Sequence, residues 1–197
     1  MKPTYNGFEA KKSNNFAQLP PPGAYVAEIQ GVKTEMGYDN VHEQIVVMVE
    51  ITEGEYKGQY HKVFEDNKNS FGDSVKYKGT MRLIPPIPGD EEWRKSRFEG
   101  NLWCVEQSND GYHWDWDETK LKGKKVGINV RKCYYKGRDG EMKDTTEIAQ
   151  FETVADVRDG KCKLLKERKP KNSDNDNGEN SEDGKYSDVT KEIEVPF

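Results

Sequence analysis

The sequence predicts a mainly β domain of five strands, with one helix between the third and fourth strands and a disordered acidic tail behind it. Three observations predict this. Alternating apolar and polar residues recur between turn signals, as in HEQIVVMVEIT at 42–52, where Ile45, Val47, Val49 and Ile51 share one face. The spacing lengthens to a helical one only around Trp93, Phe98, Leu102 and Val105. The charges are also sorted: residues 170–197 hold three basic against eight acidic side chains and so carry the whole net charge of −5, which leaves 28 of each sign in residues 1–169.

Residues 1–22 are polar, end in LPPPG and show no periodicity, so they are expected to form an arm that the prolines halt before the first strand. The domain then spans 23–169. GAYVAEIQGVK has strand composition with Gly31 as a bulge, and HEQIVVMVEIT supplies the second strand. After the turn EGEYKG, QYHKVFE reads as a third strand with Tyr60, Lys62 and Phe64 on one side and His61 and Val63 on the other. Asp90 is the expected N-cap of a helix over Glu91–Ser108, supported by Glu91 and Glu92 at the positive end of its dipole. KKVGINVRKCYY and TTEIAQFETV follow as strands around the Asp-Gly turn in KGRDGE, with a helical turn at ADVRDG. From 170 to 197 the chain has too little apolar surface to offset the entropy of ordering, and disorder is expected.

Three strands, a helix and a two-stranded hairpin is the order of an OB-fold, a five-stranded, partly open barrel that binds oligonucleotides across strands 2 and 3 and through its first and fourth loops. Aromatic and basic residues fall at those places. The fourth loop and its flanks hold Arg131, Lys132, Tyr134, Tyr135, Lys136 and Arg138, strand 3 holds Tyr60, Lys62 and Phe64, and the first loop offers Tyr38. Lys124–Lys143 holds seven basic and two acidic residues, a local +5. Aromatic faces between cations are what an unpaired strand requires: bases stack on the rings while Lys and Arg neutralise the intervening phosphates. The opposing expectation for each aromatic is a place in the core, where most strand Tyr and Phe residues pack. Tyr134 and Tyr135 are the strongest pair, because strand neighbours point to opposite faces.

The chain closes on EIEVPF, where Glu192, Glu194, Val195, Pro196 and Phe197 resemble the acidic C-terminal peptide, ending in Ile-Pro-Phe, of bacterial and phage single-stranded DNA-binding proteins. Ile193 departs from that pattern. The resemblance implies a tip that docks onto replication, recombination and repair proteins, with the Phe197 ring in an apolar pocket and its carboxylate beside a basic residue. Over Phe16–Lys163 the chain is similar to a family of phage and prophage proteins of Gram-positive bacteria, through LPPPGAYVAEIQGVK, ITEGEYKGQY, SRFEGNLWCVEQSNDGYHWDWDETKLKGKKVGINVR and VADVRDGK. That likeness implies an OB-fold single-stranded DNA-binding protein encoded among replication and recombination genes, and it names no catalytic residue.

Other functions find little support. No apolar run approaches the roughly 20 residues of a membrane span. The N-terminus lacks a basic start followed by an apolar stretch, so no secretory signal is expected and the cytoplasm, that of the host cell for a phage-encoded chain, is the expected location. Cys104, Cys133 and Cys162 are too widely spaced for a metal knuckle and read as ordinary thiols. His113, Asp115, Asp117 and Glu118 suggest a divalent ion and a Mg²⁺-dependent nuclease as a rival, with Glu118-Thr119-Lys120 as its signature. Trp114 and Trp116 covering the barrel end, with both aspartates in water, is the favoured reading. Nucleotide-binding and acyl-transfer motifs are missing from the sequence. No cofactor or metal is expected. A protein-only adaptor is the second rival, and the oligomeric state stays open, a homo-oligomer included.

Overall fold

The computed structural model describes residues 17–37, 39–137 and 139–170. The N-terminal sixteen residues, Tyr38, Arg138 and the segment 171–197, with Glu192, Glu194, Val195, Pro196 and Phe197, lie outside the described residues. The element order is β1 (Gly23–Met36), β2 (Glu43–Ile51), α1 (Gln59–Phe71), β3 (Thr80–Leu83), α2 (Glu92–Gln107), a 3-10 turn (Glu118–Leu121), β4 (Lys125–Lys136), β5 (Met142–Glu152) and α3 (Val154–Arg158). The five strands form one antiparallel sheet in the spatial order β3-β2-β1-β4-β5.

β1 occupies the middle of this order, and its two halves serve different neighbours. Gly23–Glu28 pairs with β4, while Ala27–Met36 pairs with β2 across a register shift between Ile29 and Gly31, where the sequence placed a bulge. A second shift, at Asn129/Val130, leaves Ala149 of β5 unpaired and bends β5 against β4. The sheet curls until its edge strands β3 and β5 lie against each other without a hydrogen-bonded ladder, a barrel-like but open arrangement. Inside it pack Ile29, Val47, Val49, Ile51, Leu83, Val126, Ile128, Val130 and Phe151. α2 lays Phe98, Leu102 and Val105 over this core, and the Asn101 Oδ1 accepts the Phe151 N–H at 2.7 Å, satisfying a donor on β5.

Two expectations are corrected. QYHKVFE is not a strand: it opens the thirteen-residue helix α1, which turns Tyr60, Val63 and Phe64 to one side. Gly58 and Gly72, with φ of 73° and 80°, bound it in left-handed conformations that favour glycine. Glu50, from the end of β2, accepts the N–H groups of Tyr60 (3.2 Å) and His61 (2.6 Å), two donors that a first helical turn leaves unpaired. The third strand is instead TMRL, with Met81 and Leu83 buried and Arg82 exposed. Because α1 and the residues leading into β3 lie over β2, Val46 and Met48 are buried along with the expected Ile45, Val47, Val49 and Ile51. The second correction concerns Asp90, which does not cap α2. Glu91 holds that position, and the Asp90 carboxylate is engaged by His42 and by the Ile87 N–H.

Candidate nucleic-acid interface

The β4–β5 hairpin runs past the body of the sheet, and its register sorts the candidate residues. Pairing of Lys132 with Thr146, Tyr134 with Asp144 and Lys136 with Met142 puts these six on one face. Arg131, Cys133 and Tyr135 share the other with Glu147, Thr145 and Lys143. Tyr134 and Tyr135 therefore project oppositely. Lys132 Nζ sits 5.1 Å from the Tyr134 ring centroid, the Tyr134 hydroxyl donates to Glu167 Oε2 at 3.0 Å, and Tyr135 is 49% exposed. Lys136 is exposed at the end of β4.

The hairpin is less positive than its sequence window. Extending the count across both strands, 125–152, gives six basic and five acidic residues. Lys132 pairs with Asp144 at 3.1 Å and Lys143 with Asp139 at 2.6 Å. The Glu147 carboxylate receives Nε of both Arg131 and Arg168, each at 2.8 Å. Asp144 and Glu147 sit beside the cations because β5 folds back on β4, which a linear window ending at Lys143 does not register. The Asp144 carboxylate beside Lys132 holds that ammonium's pKa above its ordinary value.

Two irregular segments frame the hairpin. Past Val130, opposite which β1 begins, residues beyond α3 take over the edge of β4: Tyr134 N–H donates to Arg168 O and Arg168 N–H to Lys132 O, both at 2.9 Å. On the other side, residues 17–22 join β5 to α1. Thr146 Oγ1 donates to Pro20 O at 2.9 Å, Gln59 Nε2 to Gln18 O at 2.6 Å and Ala17 N–H to Asp66 Oδ2 at 3.0 Å.

Of the predicted contacts, Arg131, Lys132, Tyr134, Tyr135 and Lys136 share this one hairpin. Tyr60, Lys62 and Phe64 do not join them. Tyr60 is 2% exposed and packs 6.3 Å from Tyr77, and its hydroxyl pKa is pushed far up by burial, so no face is offered to a base. Phe64 lies edge-on to Tyr77, half-buried, and Lys62 alone of the three is exposed. Sequence reading missed Asp144, Glu147, Glu167 and Arg168 as neighbours of the site. The acidic residues flanking the two threonines of KDTTE carried a signal for the first two.

The tryptophan-rich loop has a different character. Phe98 and Trp116 stack at 6.0 Å with Trp114 edge-on to Phe98, and Trp116 is 66% exposed rather than covering the barrel end as expected. Asp115 and Asp117 both engage Lys120, and His113 points to solvent. No group of three or more His, Cys, Asp or Glu among the described residues is placed to hold a metal ion. No described helix is long and apolar enough to cross a membrane. Neither a protein-family model nor a curated protein matches this chain.

Proposed function

We propose that this chain is a non-catalytic single-stranded DNA-binding protein of phage replication and recombination, built on an OB-fold barrel. The observation that carries the reading is the combination of strand order and hairpin. A central β1 flanked by β2 and β4, edge strands β3 and β5 in contact, and a helix between β3 and β4 support an OB reading, in which the β4–β5 hairpin would be the fourth loop. Bases stack on Tyr134 and Tyr135, while Lys132, Lys136, Arg131 and Arg138 contact phosphates. Tyr60 leaves the contact set because it is buried, and Phe64 because it packs half-buried against the core. The tip Glu192, Glu194, Val195, Pro196 and Phe197 recruits replication and recombination proteins: the ring supplies apolar area and the acidic tether steers it to basic surfaces.

The test is fluorescence anisotropy of labelled oligo-dT and of its duplex at several salt concentrations, with and without Mg²⁺. The expected result is salt-sensitive binding to the single strand only, without cleavage, with a log–log slope of about 0.7 per phosphate contacted. Tyr134→Ala and Tyr135→Ala should each weaken binding roughly five- to a hundred-fold, the worth of one base stack. Cleavage that needs Mg²⁺ would favour the nuclease. An adaptor without nucleic-acid binding is the second reading, favoured by the ion pairing of Arg131, Lys132 and Lys143, and complete absence of binding would select it.

A further inference from the structure

The loop between β1 and β2 is closed around one imidazole. Gly37 N–H donates to His42 O at 2.8 Å, and Asp39 Oδ1 accepts the N–H groups of Val41 and His42, both at 3.0 Å. The His42 ring, in a residue only 8% exposed, is held between two carboxylates. Nδ1 lies 2.5 Å from Asp39 Oδ2, and Nε2 lies 3.0 and 3.1 Å from the oxygens of Asp90. Asp90 belongs to the stretch entering α2, where it also accepts the Ile87 N–H at 2.9 Å and stands 3.9 Å from Arg94 Nε.

A neutral imidazole has one N–H to give, and only the imidazolium can donate to both carboxylates. We propose that His42 is a proton-operated latch: protonated, it fastens the β1–β2 loop to the entrance of α2, and when it loses a proton the loop lets go of Asp90. The break falls on that side for a geometric reason. Asp39 lies in the same short loop and keeps the remaining Nδ1 proton. The bare Nε2 lone pair then faces Asp90, a carboxylate that retains its Ile87 N–H and the nearby Arg94 guanidinium.

The charged groups facing the ring set the pH window. The flanking carboxylates raise the His42 pKa above its ordinary value, and backbone hydrogen bonds above all hold Asp39 and Asp90 below theirs. The imidazolium's contribution is therefore complete below the unfolded histidine value of about 6.5 and lost as pH rises through the higher folded value. At the acid end the carboxylates' contribution, complete above about 3.9, is lost only as pH falls through their lowered folded values.

The test uses the isotope-labelled full chain and two NMR readouts: the titration of the His42 ring, and the nuclear Overhauser contact between that ring and the Asp90 methylene, which the fastened loop makes and the released loop loses. His42 should titrate above the ordinary histidine value of about 6.5, and the contact should weaken as pH rises through its midpoint. Asp90→Asn, which conserves shape, should lower the midpoint toward about 6.5 and remove the pH dependence of the contact. His42 titrating at or below about 6.5, or a contact unchanged across its midpoint, would overturn the latch.

Discussion

Glu50 joins three parts of the chain through one side chain. Its carboxylate takes two amides from the first turn of α1 and the Tyr77 hydroxyl at 2.9 Å, tying β2, α1 and the approach to β3 together. Hydrogen bonds to a charged group contribute about 1.5–3 kcal/mol each and are not additive, so Glu50→Ala should lower stability by roughly 2–4 kcal/mol in urea unfolding. Glu50→Gln, which keeps an accepting oxygen, should cost less. Gly79 sits in the same junction for want of space: a Cβ there would lie 2.5 Å from Val49 O and 2.8 Å from both the Tyr60 and Tyr77 rings. Gly79→Ala is therefore expected to destabilise by about 1–3 kcal/mol, as overpacked cores do. Burial also raises the thiol pKa of Cys104 and Cys162 to about 11, and both should label slowly with a thiol reagent at neutral pH until the chain unfolds.

Among the elements, length decided what the sequence could disclose. α2 was legible because sixteen residues distinguish the two periods, and the β4–β5 hairpin because Asp139-Gly140 marks its turn. α1 was misread for a physical reason: residues four apart share a face in a strand and in a helix alike, so Tyr60 and Phe64 fit either. Val63, on the buried side, and the bounding Gly58 and Gly72 were the discriminating signals. β3, at four residues, is too short to show a period at all. The candidate site divides in the same way. Tyr134, Tyr135, Lys132 and Lys136 could be assembled from local sequence, whereas the partners of Arg131 and Lys132 come from the opposite strand, and Arg168 arrives from beyond α3. Removing one such partner should be visible: Asp144→Asn releases Lys132 and is expected to steepen the salt dependence of single-strand binding by up to about 0.7 in slope, measured by anisotropy.

For the whole molecule, the position of β1 governs the order in which the fold can be completed. Its first half needs β4, which follows it by about 100 residues and which synthesis at roughly 5–20 residues per second supplies only some 5–20 s later. β1 and β2 can pair within about microseconds of leaving the ribosome, so the nascent hairpin waits with one edge open. An open edge is a template for another chain, and charged side chains are the usual deterrent. Within the half of β1 that β4 later covers stands Glu28, and Lys125, arriving with β4, pairs opposite it. A carboxylate on the central strand of the finished sheet thus guards that strand during synthesis, while it is still an edge.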